Sequence, residues 1–470
     1  MGQITLPTWL FIVLLFLAVL AILDRLFVPS LRWFFRRRLN RVLTEIGSRL
    51  EISIRPFQLT KRQVLIDRLI YDSKVMEAIE HFSARDKVPR EVLQAEALSY
   101  AREIVPSFNA YFYFRLGYWV AQKAARLLYR VRLGSPENER LLKINPNATV
   151  VFVMNHRSNM DYVLVAFLAA ERTTLSYAVG EWARIWPLET LFKFMGAFFV
   201  RRNSQNQLYR LVLERYIHMA TREGVCQAVF LEGGLTRDGR LRPPKMGLID
   251  YMLRHFDPET DRDIFFIPVG LNYDRTIEDR SQIRALDPQA TRRSWFFVLK
   301  TTFGFIVRQI LLMARGRWRV YGYACVNFGA PISAAEYCRG QGFVPARMDK
   351  YMRHQRVEDF CRLLMAAMEK NIPVLPLPLV AAVLLEAGGE PLSVFEIKAR
   401  VHYLIENIRT RGAPIFFPRE EYDEVLTEVL DTLKLRRLAL EREGLFQADP
   451  AQHDLLKYYA NSIEHWWKET

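Results

Sequence analysis

The sequence predicts an α/β protein: a largely parallel sheet with flanking helices, set between N-terminal and C-terminal helical regions and preceded by one transmembrane helix. Three observations carry this prediction. Short β-rich runs alternate with helical ones over 141–335, apolar residues recur at three- and four-residue spacing over 40–140 and 345–470, and residues 4–23 form an uncharged apolar run. Alternation of strand and helix is what a parallel sheet demands, because each parallel pair needs a crossover.

The first element is ITLPTWLFIVLLFLAVLAIL over 4–23, about the ~20 residues a helix needs to cross a bilayer. No basic residue precedes it, and the following DRLFVPSLRWFFRRR lacks a small-residue cleavage site, so an anchor is favoured over a signal peptide. Arg25, Arg32, Arg36, Arg37, Arg38 and Arg41 follow the span, which predicts a single N-terminal crossing with the body on the cytoplasmic face. Interleaved with Trp33, Phe34 and Phe35, they suit an anionic phospholipid membrane.

LTKRQVLIDRLIYDSKVMEAIEHFSA and PREVLQAEALSYAREIV read as helices, with Pro89 at a helix start, and the aromatic run FNAYFYFRLGYWVAQKAARLLYRV reads as a further helix. In the α/β unit the strands are TVVFVMNH, TLSYAVG, AFFVRR, CQAVFLEGG, IFFIPVGLNYD and a closing YGYACVNFGAPIS. The apolar segment 292–317 is interrupted by Lys300 and Arg308, which argues against a second crossing.

The composition narrows the partners. The 470 residues are half hydrophobic, with a mean hydropathy near zero, which excludes intrinsic disorder and a many-helix transporter. A net charge of +15 favours an anionic partner: nucleic acid, a phosphorylated small molecule or a membrane. No helix-turn-helix, zinc-finger or ribonucleoprotein signature is present, so no nucleic-acid partner is expected. Cys226, Cys325, Cys338 and Cys361 form no C-x-x-C pair and none has a histidine at ligand spacing, so neither a metal site nor a disulfide framework is expected.

Chemistry concentrates at strand ends, where an open sheet builds its site. In MNHRSNMDY, His156 and Asp161 are five apart, roughly 140° around one helix, so they meet only if His156 precedes the helix and Asp161 lies in its first turn. Two readings fit. In one, Ser158 caps the helix, Asp161 serves the cap and His156 is a loop imidazole. In the other, Asp161 orients the His156 ring, whose second nitrogen takes a proton from an alcohol, so that no serine or cysteine nucleophile is needed.

GAFFVRR ends a strand with Arg201 and Arg202, and FLEGGLTRDGRLRPPKMG follows the next strand with Glu232, Gly233, Gly234, Arg237 and Lys245. Guanidinium groups and glycine-exposed amides suit a phosphate dianion, although each segment alone equally reads as a solvated basic turn. Arg157 and Ser158, beside His156, complete the candidate binding set. The run IPVGLNYD reads as a buried strand entering a loop, or as the lining of an acyl groove.

These four segments resemble, in order, the blocks of the glycerol-3-phosphate and dihydroxyacetone-phosphate acyltransferase family: NHRSNMDY its H-x4-D block, GAFFVRR its second, FLEGGLTRDGRLRPPKMGL its E-G-G block and IPVGLNYD its fourth. LTKRQVLIDRL and LLKYYANSIEHW resemble segments flanking the catalytic unit in long bacterial members, so the likeness spans most of the chain after residue 40. The resemblance implies an acyltransferase α/β domain and transfer of a fatty acyl group from acyl-CoA or acyl carrier protein to the sn-1 hydroxyl of glycerol 3-phosphate. It makes His156 the general base, Asp161 its partner, and Arg202, Glu232, Gly233, Arg237 and Lys245 part of the acceptor site. No further cofactor is implied, and the expected location is the bacterial inner membrane. Leu235 and Thr236 depart from the usual third block, which leaves dihydroxyacetone phosphate and lysophosphatidate open as acceptors. A non-catalytic lipid-binding protein is the alternative of a different class. A hydrolase is a further alternative, against which stands the lack of a G-x-S-x-G.

Overall fold

The computed structural model describes residues 55–109, 113, 117–134, 144–169, 175–180, 188–201, 204–286, 321–418 and 422–468. The apolar run 4–23, the arginines after it, Arg202 and the segment 292–317 lie outside the described residues. Among the described residues no helix is long and apolar enough to cross a membrane.

Among the described residues the main sheet has eight strands: β1 (Arg130–Leu133), β2 (Thr149–Met154), β3 (Ser176–Gly180), β4 (Phe198–Val200), β5 (Gln227–Phe230), β6 (Ile264–Tyr273), β7 (Tyr323–Phe328) and β8 (Ile332–Ser333). Their order is β1-β7-β6-β2-β5-β3-β4, with β8 against β6. Pairing is parallel except where β6 meets β7 and β8. The sheet is thus mostly parallel, and the near-continuous apolar runs TVVFVM and QAVF follow from helices covering both of its faces.

Val151, Val153, Val229, Leu231 and Phe266 face helices α1 (Arg62–Ile70), α2 (Ser73–Asp86), α3 (Arg90–Ile104) and α6 (Gln207–Arg222), while Phe152, Met154, Phe230, Leu271 and Tyr273 face α4 (Tyr118–Leu128) and α5 (Met160–Ala169). Pro89 stands at the N-cap of α3, and Lys87 just before it adopts φ 54, making the turn between α2 and α3. The aromatic run predicted as one helix breaks at Tyr129 (φ −136, ψ 151), and the residues after it leave as β1 along the edge of the sheet.

The C-terminal region is built on α8 (Pro376–Glu386), which is buried along almost its whole length. Around it pack α9 (Val394–Thr410), α10 (Tyr422–Leu435) and α11 (His453–Ala460). A three-stranded antiparallel sheet that helical periodicity does not reveal is added here: β9 (Leu392–Ser393), β10 (Ala439–Arg442) and β11 (Leu445–Ala448). Its hairpin turns at Glu443 and Gly444, both with positive φ, the conformation a two-residue hairpin loop requires.

The two regions lock together at the end of β6. The Asp274 carboxylate accepts from Leu377 N at 3.0 Å and from Tyr323 N at 2.8 Å, and Asn272 donates to Pro373 O at 2.8 Å.

Candidate active site

The site forms where β2, β5 and β6 end. Asn155 extends the β2–β6 ladder with its side chain, donating to Leu271 O at 2.9 Å and accepting from Leu271 N at 2.7 Å. That clamp fixes the chain as it leaves the sheet, and His156 is the next residue. Its Nδ1 lies 2.9 Å from Asp161 Oδ2, which also accepts from the backbone N–H of Arg157 (2.7 Å) and Ser158 (3.0 Å). Ser158 Oγ in turn accepts from Met160 N at 3.1 Å, so the turn entering α5 is closed by side chains at both ends.

Asp161 is fully buried, and its other oxygen accepts from the Tyr273 hydroxyl at 2.6 Å. Burial first, then the neighbouring carboxylate, raises the Tyr273 phenol well above its ordinary pKa, so it stays a donor. A carboxylate can only accept, which places a hydrogen on His156 Nδ1 and leaves Nε2 free of it in the neutral ring. The ring stacks on Phe230 at 4.0 Å and 27°, and meets Tyr162 edge-on at 5.5 Å.

Glu232, at the end of β5, binds the first segment to the loop that follows. One oxygen accepts from His156 N and the other from Arg242 N, each at 2.9 Å, while Thr236 N donates to His156 O at 2.9 Å. Burial pushes its carboxyl up to about 7, against the opposing pull of those two N–H groups. Gly233 has φ +67, and a Cβ there would stand 2.8 Å from the Lys245 side chain.

His156 lines a pocket of about 770 Å³ together with Tyr162, Arg201, Glu232, Gly233, Arg237 and Lys245. Arg210 and Arg242, which sequence reasoning did not single out, line it too. Arg242 sits inside the third segment and was open to selection as one more cation; Arg210 lies on α6 and had no motif to mark it. Arg237 and Lys245 are exposed, and among the described residues Arg237 donates to Ala285 O at 3.3 Å. Arg201 instead makes a two-pronged pair with Glu103 at 2.9 and 2.6 Å and lies over Tyr100 and Tyr209.

Arg157, Ser158 and Gly234 do not line this pocket. The Arg157 guanidinium turns away to donate to Gly239 O at 2.9 Å and lies 5.0 Å from the Tyr458 ring. Ser158 donates to Glu278 Oε2 at 2.7 Å. These contacts hold Arg157 and Ser158 away from the pocket. Among the described residues no three His, Cys, Asp or Glu side chains are grouped as a metal ion would need, and all four cysteines are free and buried.

Residues 136–272 match the acyltransferase family, and residues 307–467 match the glycerol-3-phosphate acyltransferase C-terminal region. Relatives named glycerol-3-phosphate acyltransferase include one from Aeromonas hydrophila, 27% identical over 91% of this chain and 53% of its own length. Others are from Haemophilus ducreyi, 25% identical over 87% of this chain and 50% of its own, and Ectopseudomonas mendocina, 30% identical over 59% and 32%. The chain therefore spans about half the length of these Aeromonas and Haemophilus relatives. A solved 1-acyl-sn-glycerophosphate acyltransferase from Thermotoga maritima overlays 65% of this chain and 97% of its own at 15% identity and a TM-score of 0.30, and the fold assignment rests instead on the strand order above. The chain thus carries an acyltransferase domain followed by a glycerol-3-phosphate acyltransferase C-terminal region, the two matches together covering 298 of 470 residues.

Proposed function

We propose that this protein transfers a fatty acyl group from a thioester, acyl-CoA or acyl carrier protein, to the sn-1 hydroxyl of glycerol 3-phosphate. The observation that carries the reading is the His156–Asp161 hydrogen bond beside a pocket bearing the exposed cations Arg237 and Lys245. The acceptor hydroxyl gives its proton to His156 Nε2 while its oxygen attacks the thioester carbonyl. The C–O bond forms, the C–S bond breaks, and the proton passes to the departing thiolate. Asp161 holds the ring and stabilises imidazolium, and Tyr273 holds Asp161. Arg237 and Lys245, with Arg242, receive the acceptor phosphate. The pocket volume is of the order that small-molecule sites require.

The test is purified full-length chain with labelled acyl-CoA offered separately to glycerol 3-phosphate, dihydroxyacetone phosphate and lysophosphatidate. Preferential acylation of glycerol 3-phosphate is expected; preference for either of the others reassigns the acceptor, and transfer to none overturns the reading. We also propose that residues 4–23 anchor the body to the cytoplasmic face of an anionic membrane, since the run is uncharged and arginines follow it. Alkaline carbonate extraction should leave the protein in the membrane fraction; release into the soluble fraction would refute the span.

A further inference from the structure

The turn that carries the His156–Asp161 pair is held from outside by a residue in none of the four sequence segments. Glu278 lies five residues past β6 and sets one carboxylate oxygen 2.7 Å from Ser158 Oγ and the other 3.1 Å from Asn159 N. Those contacts fall between His156 and Asp161, on the N-terminal turn of α5, where a carboxylate also meets the positive end of the helix. The next residue, Asp279, opens α7 (Asp279–Arg284) and faces the other way. It is buried, and Oδ2 accepts from Arg436 Nη2 and from the Tyr459 hydroxyl, while Arg436 Nη1 lies 2.9 Å from that same hydroxyl. Arg436 follows α10 and Tyr459 belongs to α11, so both anchors come from the C-terminal region. Thr276, just before, meets the Tyr458 hydroxyl at 3.3 Å.

We propose that Glu278 is a positioning residue for the His156–Asp161 pair, and that Asp279, Arg436 and Tyr459 hold it there, so the C-terminal region is a working part of the active site. A buried pair of anchors on one side and two hydrogen bonds on the other leave the intervening carboxylate little freedom. A displacement of the turn moves His156 relative to an acceptor whose phosphate is bound across the pocket, and misplacement by about 1 Å can cost on the order of 100-fold in rate. This inference rests on the acyl-transfer reading above.

The experiment uses the full chain with acyl-CoA and glycerol 3-phosphate, comparing Glu278→Ala, Glu278→Gln, Tyr459→Phe and His156→Ala. Glu278→Ala should lower kcat about 10- to 100-fold with KM for glycerol 3-phosphate within about twofold, because the phosphate cations are untouched. Glu278→Gln keeps one acceptor oxygen and should recover part of that loss. Tyr459→Phe should lower kcat less than Glu278→Ala, again at unchanged KM. Wild-type kcat in Glu278→Ala while His156→Ala is inactive overturns the inference and leaves the site reading intact. A raised KM at unchanged kcat overturns it as well. Wild-type kcat in Tyr459→Phe overturns the coupling to the C-terminal region. Should Glu278→Ala fail to melt cooperatively, Glu278→Gln decides: lowered kcat at an unchanged melting temperature supports the inference, and wild-type kcat overturns it. Normal turnover in His156→Ala overturns the site reading and this inference together.

Discussion

The Tyr273 hydroxyl donates to Asp161 Oδ1 at 2.6 Å while His156 Nδ1 meets Oδ2 of the same carboxylate at 2.9 Å, so one buried acid is gripped from both sides. Tyr273→Phe removes one grip and leaves the other. A hydrogen bond to a charged group is worth about 1.5–3 kcal/mol. The variant should melt a few degrees lower and show kcat reduced about tenfold at unchanged KM. Melting and kinetics both identical to the parent would show that the hydroxyl does not orient Asp161.

His156→Ala should abolish acyl transfer in a folded protein, since general base catalysis contributes about 10²–10⁴-fold. Asp161→Asn should be equally severe and should also lower the melting temperature, because Oδ2 serves two backbone N–H groups besides the ring. Near-normal transfer by a well-folded His156→Ala would return His156 to the loop-imidazole reading.

The cations of the pocket should separate by function. Arg237→Ala and Lys245→Ala should each raise KM for glycerol 3-phosphate, a charge-assisted contact being worth about 1.5–3 kcal/mol, or about 10- to 150-fold. Arg201→Ala should instead lower the melting temperature, because it removes the two-pronged pair with Glu103. Acceptor KM unchanged in both Arg237→Ala and Lys245→Ala would move the phosphate site towards Arg210 and Arg242.

Stability should carry a signature of Asp274. Burial pushes its carboxyl up to about 7, against about 3.9 in an unfolded chain. The folded protein then keeps a proton that the unfolded chain releases, so this group's contribution to stability falls as pH rises from about 4 to about 7. Asp274→Asn should lower absolute stability by about 1–3 kcal/mol, through an N–H left without an acceptor, yet flatten the decline of Tm across that range. An unchanged slope would place the titrating group elsewhere, with Glu232 next because burial pushes it the same way.

The alternation of strands with helices, and the meeting of His156 with Asp161, were legible because both depend on local pattern: apolar runs with turn chemistry for the sheet, a five-residue spacing across a helix start for the pair. Tyr273 and Glu278 were not legible as partners, since they stand 112 and 120 positions along the chain from Asp161 and Ser158 and come within hydrogen-bonding range only when the chain between has folded. Arg157 shows the converse failure. Its place beside His156 suggests the pocket, but Gly239 O captures its guanidinium and holds it away. The hairpin at Glu443 and Gly444 escaped because strands of four residues are too short for their alternation to stand out from a helical background.

β5, β2 and β6 are adjacent parallel strands, and they deliver Glu232, His156 and Tyr273 respectively. The span between these groups is therefore inherited from the repeat of the peptide lattice, about 4.8 Å per strand, and is indifferent to the length of the crossovers on the far side. Insertions there can drift freely without detuning the chemistry. A one-residue slip of β6 cannot, because it would turn Tyr273 to the other face of the sheet and take its hydroxyl away from Asp161 Oδ1.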